Sequence, residues 1–253
     1  MVKKVLKKLL LISLLINVTP IVAEEEVDAG EYSCRLIDFY DYYSPVPWGD
    51  YVDDSYYETA FFAGDSRMGS LYLFGDIENG DIHYVTSLNL LYIDMMKVDD
   101  IEDEDSEVTL YQLLNETRKE NIYLLFGINE IRNKDFVAFS EMYQEILTML
   151  RNNNPNVNIY IILAYHPDYI SNLPEPDLSE HLVNLNTTLM DLAIRNHVYY
   201  LNLDNGMNDA EGTIIDDYVA DGLHFTYEGT QAFKDYIATH VVRREVYDKE
   251  ICE

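Results

Sequence analysis

Taken as apolar and polar positions, the chain alternates between two periods. Residues 59–63, 82–86, 121–126, 157–164 and 198–203 are short runs rich in Phe, Ile, Val, Leu and Tyr, and each predicts a β-strand. The run over 157–164 is apolar apart from Asn158, as expected of a strand covered on both faces. Between these runs the apolar residues recur every three to four positions. Phe136, Phe139, Met142, Ile146 and Leu150 make one such stripe over 135–152, and Leu182, Leu185, Leu189 and Leu192 make another over 178–196. Phe233, Ile237 and Val241 form a third, behind Thr226 as its cap. Shorter helices are predicted over 68–74 and, capped by Thr109, over 110–119. Residues 205–220 show neither period and read as irregular. Strands that alternate with helices specify βαβ units with right-handed crossovers, so the fold class is α/β with a parallel sheet.

The first 23 residues break this pattern and read as an export leader. Lys3, Lys4, Lys7 and Lys8 precede the apolar run 9–16, and Ala23 offers a small residue for cleavage ahead of Glu24, Glu25 and Glu26. The run is short for a membrane span, though an uncleaved anchor is the alternative. The expectation is a secreted, soluble protein of about 230 residues, one domain over 59–253 preceded by an extension over 24–58. That extension carries Tyr40, Tyr42, Tyr43, Trp48, Tyr51, Tyr56 and Tyr57, which either clothe the domain or offer a sugar-stacking surface; packing is the better expectation for aromatics.

Charge narrows the partners. Removing the leader takes away four lysines and no acid, which leaves 13 basic against 46 acidic residues, a balance of −33. A field of that sign repels nucleic acid and anionic membrane surfaces. The acidic stretch 99–107 lacks calcium-loop spacing and reads as a solvated loop, with weak cation binding a minor alternative. Cys34 and Cys252 are the only cysteines. In an exported chain they read as a disulfide, worth roughly 5 kcal/mol by loop-closure entropy, with two free thiols as the alternative. Two cysteines alone do not make a zinc site. Asn115 and Asn186 each begin a glycosylation sequon, relevant only in a eukaryotic host.

Candidate chemistry collects where strands end. Gly64, Asp65 and Ser66 sit between a strand and a helix, which exposes a hydroxyl beside unpaired helix N–H groups able to stabilise an anion. By itself Gly-Asp-Ser is also an ordinary turn. Asn129 and His166 follow the third and fourth strands, and ligands of parallel sheets bind at that rim. Asp221 lies three residues ahead of His224 in a loop. That spacing lets the carboxylate take Nδ1–H and leaves Nε2 for a nucleophile, and a serine hydroxyl needs such a base. His166 is the rival base, disfavoured because no carboxylate stands at comparable spacing. Arg67 is placed as a pocket residue for a substrate carboxylate or, preferably, as the partner of a local acid. No metal-ligand cluster is visible, so phosphoester chemistry is disfavoured and no metal or organic cofactor is expected.

Gly64-Asp65-Ser66, Gly127-Ile128-Asn129-Glu130 and Asp221-Gly222-Leu223-His224 together resemble three of the four blocks of the SGNH (GDSL-type) hydrolases, in family order and over roughly 59–242. The resemblance implies a flavodoxin-like α/β/α sandwich on a five-stranded parallel sheet and a serine esterase. It implies Ser66 as nucleophile, His224 as base and Asp221 as orienting partner. Asn129 and the Ser66 N–H would be oxyanion donors. The family's second block carries a glycine whose N–H also donates. Ser87-Leu88-Asn89 stands there without glycine, so Leu88 and Asn89 are the candidates for that donor. The substrate expected is a small ester or an acylated carbohydrate, with acyl transfer to a sugar, or an inactive carbohydrate-binding protein, as alternatives.

Overall fold

The computed structural model describes residues 40–99, 106–132, 136–167, 170, 173–210 and 212–243. The leader, Cys34, Cys252 and most of the acidic stretch lie outside the described residues. Five strands, β1 (Ala60–Asp65), β2 (Asp81–Val85), β3 (Asn121–Leu125), β4 (Asn158–Ile162) and β5 (Tyr199–Leu201), form one parallel sheet in the order β2-β1-β3-β4-β5. The order reverses between β1 and β3, which places a crevice at the carboxyl ends of those two strands.

Both faces of the sheet are covered, because alternate side chains of each strand point to opposite sides. Phe61, Ala63, Ile122, Leu124, Ile159 and Ile161 pack with α2 (Leu110–Glu116), α3 (Val137–Asn153) and α4 (Asp177–Asn196). Phe62, Tyr123, Leu125, Tyr160 and Tyr199 face the other way, toward α1 (Ser66–Phe74), the single turn α5 (Asp204–Met207) and α6 (Tyr227–Thr239). Phe62, Tyr123, Tyr160 and Tyr199 are register partners on four adjacent strands, and their rings follow one another at 4.8, 4.5 and 5.0 Å. Aromatic contacts of this kind add to area burial by about 1 kcal/mol each. The result is the three-layer α/β/α architecture of the SGNH hydrolases.

Some boundaries moved for identifiable reasons. The helix expected at 68–74 begins at Ser66, because the Asp65 carboxylate accepts the Arg67 N–H and caps it there. The helix expected to reach residue 119 stops at Glu116, where Arg118 Nη1 donates to the carbonyls of Asn115, Glu116 and Thr117 at 2.9, 3.0 and 2.7 Å. The stretch read as irregular contains α5 and a 3-10 turn at Asp216–Tyr218. Ahead of β1, the chain crosses the end of α6 through Gly49 N–H to Thr239 O (2.7 Å) and Val52 N–H to Ala238 O (2.9 Å). Tyr42 and Tyr57 are buried there, whereas Tyr43 and Trp48 are 78% and 74% exposed. Asn186 uses its side-chain amide on both the N–H and the carbonyl of Ala164, so it is not a free glycan acceptor.

Candidate active site

Each candidate stands on a turn that local chemistry dictates. Gly64 lets β1 run directly into α1: a Cβ there would lie 2.5 Å from Met68 Cβ and 3.2 Å from the Leu125 carbonyl oxygen. The turn leaves Ser66 as the first residue of α1, so its N–H has no partner within the helix. Gly127 takes φ 113 after β3, where a Cβ would meet Leu185 Cδ1 at 2.7 Å; the 3-10 turn Ile128–Glu130 follows and presents Asn129 to solvent. Among the described residues the Asn129 side chain has no hydrogen-bond partner. Asp221 folds its own loop by accepting the N–H groups of Leu223 (3.1 Å) and His224 (2.8 Å) on Oδ1.

These turns bring distant residues together. Ser66 Oγ lies 2.8 Å from His224 Nε2, and His224 Nδ1 lies 2.8 Å from Asp221 Oδ2. With Nδ1–H donated to the carboxylate, Nε2 is free to accept the Ser66 hydroxyl proton. The carboxyl of Asp221 is pushed up by partial burial, but the His224 and Leu223 bonds outweigh this and hold it below the usual Asp range. It therefore stays ionised beside the imidazole. The His224 and Asp221 side chains are 38% and 58% exposed, so the site is open to water. A cleft of about 270 Å³ beside it is lined by Ile128, Asn129, Ile131, Ile170, Asp221 and Leu223 among others. A larger cleft, about 970 Å³, opens at the other end of the sheet among Thr59, Asn121 and Asn158 and contains none of these groups.

Residues 102–232, just over half of the chain, match the GDSL-like Lipase/Acylhydrolase family. The chain belongs to that family. It is an ester hydrolase by class. The matched segment holds Asn129, Asp221 and His224; Ser66 lies ahead of it and joins them through the fold. No curated protein matches this GDSL-like hydrolase. Among solved structures, one from Streptococcus pneumonia named for platelet activating factor is 18% identical, covering 73% of this chain and 88% of its own with a TM-score of 0.54. A GDSL-like lipase from Bacteroides thetaiotaomicron VPI-5482 is 15% identical over 77% and 90% of the two chains, with a TM-score of 0.52. An acylhydrolase-named structure from Bacteroides fragilis NCTC 9343 is 11% identical over 82% and 92%, TM-score 0.51. At such identities these likenesses concern the fold.

Of the two readings of Arg67, the preferred one holds and the pocket one does not: it is wholly buried, with Nε and Nη2 on the two oxygens of Asp65 at 2.9 and 2.7 Å and its guanidinium 5.7 Å from the Tyr165 ring centroid. Two further expectations for the hydrolase need correction. Leu88 is not a free donor, since its N–H closes a turn onto the Val85 carbonyl at 3.2 Å. Asn89 N–H points at Met96 Sδ, 3.3 Å away, a weak acceptor that leaves the group available at little cost. Ser87, just before them, adopts φ 57, a left-handed conformation that glycine reaches freely and other residues at a cost of roughly 1–2 kcal/mol. His166 does have a carboxylate, Glu175, at 2.9 Å from the same Nε2 that meets Ser179 Oγ at 3.0 Å. Its ring is thereby tied to the start of α4, and that nitrogen is engaged.

Sequence reasoning passed over Glu130 and Tyr165. Glu130 is 2% exposed and accepts the Leu90 N–H on Oε1 at 2.5 Å. Burial pushes its carboxyl up to about 7, against the opposing pull of the Leu90 N–H and of Arg67; Asp65 adds to the rise. Tyr165 donates its hydroxyl to the Leu223 carbonyl, next to His224. An acid ending an apolar strand-and-turn run was the one available signal for Glu130. Nothing local distinguished Tyr165 from the other tyrosines.

Proposed function

We propose that the protein is a serine esterase in which Ser66 is the nucleophile, His224 the general base and Asp221 its orienting partner. The observation that carries this reading is the unbroken relay from Ser66 Oγ to His224 Nε2 and from His224 Nδ1 to Asp221 Oδ2, each 2.8 Å. Ser66 Oγ attacks the ester carbonyl while its proton passes to Nε2. The oxyanion is met by the Ser66 N–H at the start of α1 and by the Asn129 side-chain amide. Collapse expels the alcohol, which takes the proton from His224. Water, activated by the same nitrogen, then cleaves the acyl-enzyme and releases the acid.

The openness of the site supports water as acyl acceptor over transfer to a sugar. The small cleft beside Asn129, walled by Ile128, Ile131, Ile170 and Leu223, favours a short acyl group such as acetyl, carried on a carbohydrate or another small alcohol. The basic-then-apolar start supports export, and the cysteine pair at the two ends of the mature chain supports a Cys34–Cys252 bridge. The altered second block favours one rival, a glycan-binding protein without turnover. Hydrolysis of p-nitrophenyl acetate separates the two: wild type turns over and Ser66→Ala loses activity by about 10⁴-fold or more. An inactive wild type that binds glycan would sink the esterase reading.

A further inference from the structure

Behind the catalytic rim lies a buried polar cluster whose members come from several of the turns at that rim. Arg67 follows Ser66 directly and pairs with Asp65. Glu130 follows Asn129 directly. Leu90 follows Asn89 directly, and its N–H is the group that Glu130 accepts. Tyr165, whose ring faces the Arg67 guanidinium, holds the carbonyl of Leu223, the neighbour of His224. The bond between Leu90 and Glu130 is therefore a direct tie between the two turns that carry the candidate donors Asn89 and Asn129. Leu90 also starts the 3-10 turn Leu90–Tyr92, which Asn89 caps by accepting the Leu91 N–H at 3.1 Å.

We propose that Glu130 is a positioning residue for the oxyanion donors: its buried carboxylate, by accepting the Leu90 N–H, fixes the turn bearing Asn129 against the turn bearing Asn89. The inference rests on the esterase reading above. A carboxylate this deeply buried is expensive unless it is bonded. Here Oε1 is bonded, while Oε2 has no hydrogen-bond partner among the described residues, and neither does the buried Arg67 Nη1. Asp65 and Arg67 are the charged groups whose fields act on it, with opposite signs. A residue kept for packing alone would be better served by an apolar side chain of the same length. The carboxylate instead supplies an acceptor where the backbone of the donor loop has an N–H to satisfy. Donor placement matters because displacement by about 1 Å in a catalytic site can cost a hundredfold in rate.

The test compares Glu130→Gln, which keeps an acceptor at Oε1, with Glu130→Met, which keeps length and removes it. With p-nitrophenyl acetate, Glu130→Met should lower kcat by about tenfold or more with KM changed less than about twofold, and Glu130→Gln should recover kcat to within about threefold of wild type. Hydrogen–deuterium exchange over residues 86–92 should speed up in Glu130→Met and stay near wild type in Glu130→Gln. Unchanged kcat in Glu130→Met, or equal losses in both variants with no difference in exchange, overturns the role of Glu130. An inactive wild type overturns the esterase reading itself, and this role with it, so the two failures are told apart. Thermal unfolding of both variants excludes loss of fold as the cause.

Discussion

Asp221 holds His224 at two points, its Oδ2 at the ring Nδ1 and its Oδ1 at the backbone N–H, both at 2.8 Å. One carboxylate thus sets both the path of the loop and the orientation of the ring. Asp221→Asn keeps an acceptor for the backbone but removes the charge facing the imidazole, and Asp221→Ala removes both. We expect kcat to fall by about a hundredfold or more in Asp221→Asn and further in Asp221→Ala. Steady-state kinetics with a short-chain ester read this directly, and equal activity in both variants would contradict the two-point grip.

Asn129, whose amide has no hydrogen-bond partner among the described residues, lines a cleft together with Asp221 and Leu223. If that amide stabilises charge only in the transition state, Asn129→Ala lowers kcat about 10²- to 10³-fold and leaves KM nearly unchanged. A change confined to KM would assign Asn129 to substrate binding instead.

Arg67 and Asp65 form a buried, doubly bonded ion pair beneath Ser66. Removing one partner strands the other charge, at a cost of about 3–5 kcal/mol. Arg67→Met is therefore expected to lower stability by that order in urea unfolding. A loss below about 1 kcal/mol would mean that the Asp65 charge is compensated elsewhere.

The folded protein binds the Glu130 proton more tightly than the unfolded chain does, because burial lifts its carboxyl from 4.5 to about 7. The contribution of this group is therefore full below about pH 4.5 and is lost as pH rises through 7. Glu130→Gln cannot lose a proton and escapes that decline. Between pH 5 and pH 8 wild type should lose stability relative to Glu130→Gln, by up to about 3 kcal/mol. Denaturant titrations across that range measure the difference, and a gap that stays constant with pH would refute the raised carboxyl.

Much of this protein was decided locally and could be read along the chain. The five apolar runs became five strands because period-two or continuous apolarity has few other uses at that length, and the stripe Phe139, Ile146, Leu150 became the inner face of α3. The ends of Gly64-Asp65-Ser66 and of Asp221-Gly222-Leu223-His224 were legible for the same reason: cap, turn and Asx bonds form between neighbours in sequence.

Tertiary packing decided the rest. Whether Arg67 met substrate or Asp65 depended on burial beneath the sheet rim, which no window of residues reports. The same holds for Leu88, spent on a turn, and for His166, bound by a glutamate from the following loop. The meeting of Ser66 with His224, 158 residues apart, exists only because β1 lies inside a parallel sheet whose carboxyl ends share one rim. Local sequence chooses elements and turns through bonds among near neighbours. Which charges are buried, and which distant turns are tied together as Glu130 ties Leu90, follows from the order in which the strands pack.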